Sequence, residues 1–137
     1  MSLSRKGRQR LYIDNTVWAA LGSEGELRQT LQSILKQLLQ DNWTFVTSVF
    51  AINQIESLSF DTVRFVEYLQ LIRQICGEIE STSFDDLEKS SNYVVIFHLP
   101  FDEAVHVQMA NRTKCDAMFS LSANLKRRKP LKVFCIE

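Results

Sequence analysis

Leu11-Tyr12-Ile13 is a short apolar run closed by Asp14-Asn15-Thr16. A buried strand ordinarily ends in a turn residue such as glycine or proline; this one ends in a charge. In an open α/β sheet, ligands bind at the carboxyl ends of the strands, so an acid placed there faces a site. The requirement is severe. The run must be buried, and its last residue must sit at the rim of the sheet, where a carboxylate can find a partner.

The remainder of the chain alternates in a way that suits such a sheet. Residues 16–21 follow the first strand, and Gly22-Ser23-Glu24-Gly25 breaks the chain. From Glu26 to Gln40 the apolar positions recur at helical spacing. Trp43 to Thr47 is aromatic and β-branched and reads as a second strand, with Ser48 placed to cap a helix from Val49 to Leu58. A long helix is expected from Asp61 to about Ile79, then a short, weakly amphipathic segment from Phe84 to Asn92. Tyr93 to Leu99 reads as a third strand stopped by Pro100, and Asp102-Glu103 suit the first turn of a helix reaching about Asn111. Lys114 to Arg128 reads as another helix and Leu131 to Ile136 as a fourth strand. Strands alternating with helices imply βαβ crossovers, hence a three-layer α/β/α fold around a mainly parallel four-stranded sheet.

At 137 residues the chain suits one domain, expected over residues 11–137 behind a basic, flexible stretch at 1–10. No apolar run approaches the ~20 residues needed to span a bilayer, and the start lacks the apolar stretch of a secretory signal. Cys76, Cys115 and Cys135 make an odd, widely spaced set without a CxxC pair, which reads as reduced core thiols in a cytoplasm. Formal net charge is zero, so nothing global argues for nucleic acid. Locally, Lys126-Arg127-Arg128-Lys129 could steer a nucleic-acid backbone or simply solvate a helix end.

Asp14, Glu56 and Asp116 stand where the apolar pattern disfavours charge. Asp14 follows the first strand, Glu56 lies between Ile55 and Leu58, and Asp116 sits in Cys115-Asp116-Ala117-Met118. Burying a lone carboxylate costs several kcal/mol or forces protonation. Converging carboxylates are tolerable when a hard divalent cation joins them, and Mg²⁺ suits such a site. A cation so held activates water and polarises a phosphoryl oxygen, which points to phosphodiester hydrolysis. Each acid also has a plainer reading: Asp14 and Asp116 as helix caps, Glu56 as the partner of an arginine. His98 and His106 lack partners at metal or triad spacing and read as structural. No glycine-rich phosphate loop is present, which argues against a P-loop or dinucleotide-binding fold.

These residues, in this order, resemble the PIN domain family. Tyr12-Ile13-Asp14-Asn15-Thr16-Val17 is similar to its opening Asp motif, Ile55-Glu56 to its helix-borne Glu, and Cys115-Asp116-Ala117 to its Asp-Ala motif. The resemblance implies a ribonuclease that uses Mg²⁺ or Mn²⁺ held by Asp14, Glu56 and Asp116 to activate the attacking water. Asn15 and Thr16 would support the site. It also implies RNA as substrate and, by analogy with VapC-type toxins, an antitoxin-like protein partner and a homodimer. The family's fourth acid follows the fourth strand in a Thr-x-Asp setting. Phe134-Cys135-Ile136-Glu137 takes that place here, where Glu137 could substitute as a fourth ligand. The usual last helix and strand are not recognisable, so an exposed sheet edge is expected. Two other readings stay open: a PIN-like module without catalysis that binds RNA or a protein, and a metal-dependent hydrolase of small phosphate esters.

Overall fold

The computed structural model describes residues 9–23, 25–56, 62–126 and 133–134; the side chains of Glu56, Thr62, Lys126, Val133 and Phe134 are outside that description. The elements run β1 (Gln9–Ile13), α1 (Asn15–Gly22), α2 (Glu26–Gln40), β2 (Trp43–Ser48), α3 (Val49–Glu56), α4 (Thr62–Ile75) and β3 (Cys76–Glu80). They continue with α5 (Phe84–Phe97), α6 (Phe101–Arg112), β4 (Ala117–Phe119), α7 (Ala123–Lys126) and β5 (Val133–Phe134). The sheet has the order β3-β2-β1-β4-β5, and all pairings are parallel. Its body is the four strands β3-β2-β1-β4. The two-residue β5 extends it beside β4, so the expected strand near the chain end is the fifth in sequence rather than the fourth.

β1 lies at the centre and is buried on both faces, which is why it reads as an unbroken apolar run. Leu11 and Ile13 enter one core with Val17, Trp18, Leu31, Phe45, Tyr68, Ile72 and Phe119. Tyr12 points the other way, into a second core with Val46, Val105, Met109 and Met118. Helices α1 to α4 supply the first layer, α5 and α6 the second. Trp18 is fully buried, a contribution of about 2–3 kcal/mol for a large side chain. Its indole N–H donates to Thr47 Oγ1 at 2.9 Å, and that hydroxyl donates to the Ile13 carbonyl at 2.8 Å. The ring is therefore buried without orphaning its polar atom.

The second half of the chain departs from the sequence reading. The expected strand over Tyr93–Leu99 is the last part of α5 and its exit. Ser83 and Asp86 form a reciprocal capping box that starts this helix, and the left-handed His98 (φ 56°) ends it. The β-branched run is carried through as helix, leaving Val95 and Ile96 exposed on its surface. The helix expected to reach Ile79 stops at Ile75, because Cys76–Glu80 is β3. Gly77 makes that strand possible: a Cβ there would stand 2.8 Å from Thr44 Cγ2, beside the register shift between β2 and β3. The helix expected over Lys114–Arg128 is interrupted at once. Lys114 is left-handed (φ 58°), and Ala117–Phe119 is β4, fully buried between β1 and β5. Among the described residues no helix is long and apolar enough to cross a membrane, and Cys76 and Cys115 are free thiols.

Candidate active site

Chain order and strand order together locate a crevice. From β1 the chain passes outward to β2 and β3, then returns to the other side of β1 as β4. The reversal falls between β1 and β4, and ligand crevices form at the carboxyl ends of strands flanking such a switch point. Asp14 follows β1 there, and Ser120-Leu121-Ser122 follows β4.

Asp14 is 1% exposed and caps α1. Its Oδ1 accepts from Thr16 N–H at 2.9 Å, from Val17 N–H at 3.4 Å and from the Thr16 hydroxyl. Thr16 Oγ1 in turn accepts the Leu121 N–H at 2.9 Å, tying the cap to the segment after β4. Ser120 also hydrogen bonds the Asp14 carboxylate, and its Oγ accepts the Ser122 N–H at 3.0 Å. Burial pushes the Asp14 carboxyl up to about 6 against the opposing effect of those hydrogen bonds. Asn15 opens α1, half-buried.

A second acid arrives from α6. This helix precedes β4 and runs back across the sheet, so its first turn lies at the carboxyl edge. Glu103 sits in that turn, and Ser122 and Asn124 hydrogen bond its carboxylate. Its Oε1 is buried without a hydrogen-bond partner, and desolvation raises its pKa. Asp14 and Glu103 are thus joined through Ser120 and Ser122. The sequence reading treated Glu103 only as a favourable first-turn charge. The signal that would have found it is Glu103-Ala104, an acid-Ala pair opening the helix before β4.

Asp116 does not join them. It precedes β4 directly, and the start of a parallel strand lies at the opposite rim. Its carboxylate accepts the Arg10 N–H at 2.8 Å, and its own N–H donates to the Arg10 carbonyl at 2.8 Å. Asp14 lies four residues further along β1, roughly 13 Å of strand away. The expected convergence of Asp14 and Asp116 is corrected on that ground: the helix expected after Lys114 is a strand, and the acid before it faces the other way. Glu56 is the last residue of α3; its side chain is outside the described residues, as is that of Lys126. Glu137, Arg127, Arg128 and Lys129 are also outside the described residues. Among the described residues no three of His, Cys, Asp and Glu cluster at metal-binding distance. His106 is fully buried in the second core, and His98 is exposed at the end of α5.

No family model matches the sequence, and no curated protein sequence matches it. Solved structures do. Mycobacterium tuberculosis VapC20, a sarcin-ricin loop cleaving toxin, matches with a TM-score of 0.62 at 15% identity, over 82% of this chain and 90% of that one. VapBC2 from Rickettsia felis, solved with a DNA fragment from its promoter, gives 0.69 at 11% identity, over 94% of this chain and 100% of the matched chain. The chain has a PIN-like fold. At these identities the likeness is one of architecture. In this sheet the segment after the fourth strand is Ser120-Leu121-Ser122.

The carboxyl edge of this PIN-like domain fits a divalent cation in one respect the structure makes concrete. Glu103 presents a buried carboxylate oxygen with no partner, and such an atom is satisfied by a cation or a proton. Asp14 adds a second buried carboxylate, already oriented by Thr16.

Proposed function

We propose that this domain is a metal-dependent ribonuclease whose site lies at the carboxyl ends of β1 and β4. Asp14 and Glu103 would hold Mg²⁺ or Mn²⁺, with Glu56 contributing from the end of α3. The observation that carries this reading is the unpartnered Oε1 of Glu103, linked through Ser122 and Ser120 to the buried Asp14. Bound there, the cation would supply a more acidic water and polarise a phosphoryl oxygen. Thr16 fixes the direction of the Asp14 carboxylate, and Ser122 and Asn124 fix that of Glu103. The same fold in a sarcin-ricin loop cleaving toxin supports RNA as the substrate class. Lys126 to Lys129 are the proposed backbone contacts.

The likeness to VapC-type structures supports an antitoxin-like partner and a cytoplasmic setting, and a homodimer is proposed with them. A groove of about 400 Å³ between α2 and α4 could seat a segment of that partner; Leu35, Leu39, Tyr68 and Leu71 contribute its apolar part and Arg28, Lys36, Arg64 and Glu67 its charge. The test is Mn²⁺ titration with cleavage of a mixed RNA by the wild type, Asp14→Asn and Glu103→Gln. Saturable Mn²⁺ binding and cleavage that both substitutions remove would support the proposal. Equal cleavage by all three proteins would sink it.

A second reading is favoured by Ser122. With a hydroxyl in place of the family's fourth acid, the domain could bind RNA or a protein without cleaving. Failure of millimolar Mg²⁺ or Mn²⁺ to shift the melting temperature, together with no cleavage, would favour this reading.

A further inference from the structure

A chain of polar groups, buried at Tyr12, Ser48 and His106 and exposed at Asp102, runs beside the site and has a single direction. Tyr12 Oη lies 2.8 Å from Ser48 Oγ and 2.8 Å from His106 Nδ1. His106 Nε2 lies 2.5 Å from Gln54 Oε1, and Gln54 Nε2 donates to Asp102 Oδ2 at 3.3 Å. Asp102, as a carboxylate, only accepts, so the Gln54 amide must turn its NH₂ toward it and its oxygen toward His106. The hydrogen of the neutral imidazole therefore sits on Nε2, and Nδ1 accepts from Tyr12. Ser48 then donates to Tyr12 while its Oγ accepts the Ala51 N–H at 3.1 Å. Burial holds the His106 imidazole neutral, which agrees with this order. The imidazole is packed between Tyr12 and Phe50, with ring centroids at 5.7 and 5.3 Å, so its plane is fixed as well.

The chain's two ends are the point. Gln54 is in the last turn of α3, two residues before Glu56. Asp102 is in the first turn of α6, adjacent to Glu103, and His106 lies one turn further along the same face of α6 as Glu103. We propose that His106 and Gln54 are positioning residues for the carboxyl-edge site. Their hydrogen bonds hold the acid-bearing end of α3 against the acid-bearing start of α6 at a fixed spacing. This inference rests on the metal-dependent reading of that site.

The experiment combines ¹⁵N NMR of the histidine rings in metal-free protein with Mn²⁺ titration of the wild type, Gln54→Leu and Gln54→Glu. Gln54→Glu keeps an acceptor for His106 but sets a like charge against Asp102. The wild type should show the Nε2–H tautomer at His106. Both substitutions should weaken Mn²⁺ binding by roughly 10-fold, the low end of what supporting residues around a metal site contribute. Gln54→Leu, which leaves the buried Nε2–H without an acceptor, should also lower the melting temperature, whereas Gln54→Glu, which keeps one, should shift it little. An Nδ1–H tautomer, or Mn²⁺ affinity unchanged in both variants while the wild type binds, would overturn the proposal alone. A wild type that binds no Mn²⁺ would overturn the metal-dependent reading and the positioning role with it.

Discussion

Arg10 and Asp116 hold each other by reciprocal hydrogen bonds at the amino-terminal rim of the sheet, each 2.8 Å long. The pair fastens β4 to β1 in register, one residue before Leu11 meets Ala117. The Arg10 side chain extends the arrangement, donating to the Thr113 carbonyl at 3.0 Å and pairing with Glu78 on β3. Asp116→Ala should therefore lower stability by about 1 kcal/mol, the net worth of a typical hydrogen bond. Mn²⁺ affinity and RNA cleavage should stay at the wild-type level. A loss of metal binding without a loss of stability would return Asp116 to the site.

Asp14→Asn separates chemistry from folding. Asparagine caps a helix as well as aspartate does. In the native state the Asp14 carboxyl is raised to about 6 from 3.8, so its stabilising contribution is present below pH 3.8 and lost as pH rises through about 6. At neutral pH in EDTA the variant should be more stable than wild type, on the order of 1–2 kcal/mol by urea denaturation, with the advantage gone near a pH of about 4. Cleavage should fall to background. A variant less stable than wild type at neutral pH would show that Asp14 carries no burial cost.

Ser122→Asp places a carboxylate beside Glu103, where Ser122 now hydrogen bonds. Like charges at that spacing repel, so in EDTA the variant should melt below wild type. Added Mn²⁺ should raise its melting temperature by more than it raises that of wild type, because a cation is satisfied by additional carboxylates. Thermal melts with and without Mn²⁺ decide the matter, and an equal metal shift in both proteins would count against a cation at this edge.

His106 gives the fold an acid limit. Its imidazole is pushed down from 6.5 to about 3 by burial, so the unfolded chain takes up a proton the native state refuses. The stability it contributes is present above pH 6.5 and lost as pH falls toward about 3. Between pH 6.5 and a pH of about 4.5 the loss should be on the order of 2 kcal/mol, at up to ~1.4 kcal/mol per pH unit. Urea midpoints of wild type and His106→Gln across that range provide the check; the variant should show the shallower decline.

The first half of the fold was legible because its signals are local and agree with one another. Leu11 to Ile13 is apolar and closed by a cap, and Glu26 to Gln40 has clean helical spacing. Trp43 to Thr47 is β-rich, and Ser48 does accept the Ala51 N–H. The second half depends on tertiary context. Gly77 reads as a helix end until Thr44 is set against it. Tyr93 to Phe97 has strand composition, but the capping box at Ser83 and Asp86 launches a helix that carries through it. Ala117 to Phe119 is too short, and too completely buried, to show alternation.

The misplacement of the second acid follows from that loss. An acid before a helix and an acid before a parallel strand lie at opposite rims, so reading β4 as helix moved Asp116 across the molecule. Glu103 was passed over because a first-turn acid has an ordinary explanation in the helix dipole. What marks it out in the fold is the unpartnered Oε1; in the sequence the acid-Ala pair Glu103-Ala104 is the one sign of it.

The cap on α1 bears on how such a domain could drift. Asparagine at position 14 would keep the turn and discard the buried charge, so folding alone gives no reason to retain a carboxylate there. A lineage freed from chemistry has an easy exit at this position, by a replacement that improves the fold. On the stability prediction above, aspartate at the rim of the central strand is the less stable choice, and its presence there would answer to the proposed chemistry rather than to the fold.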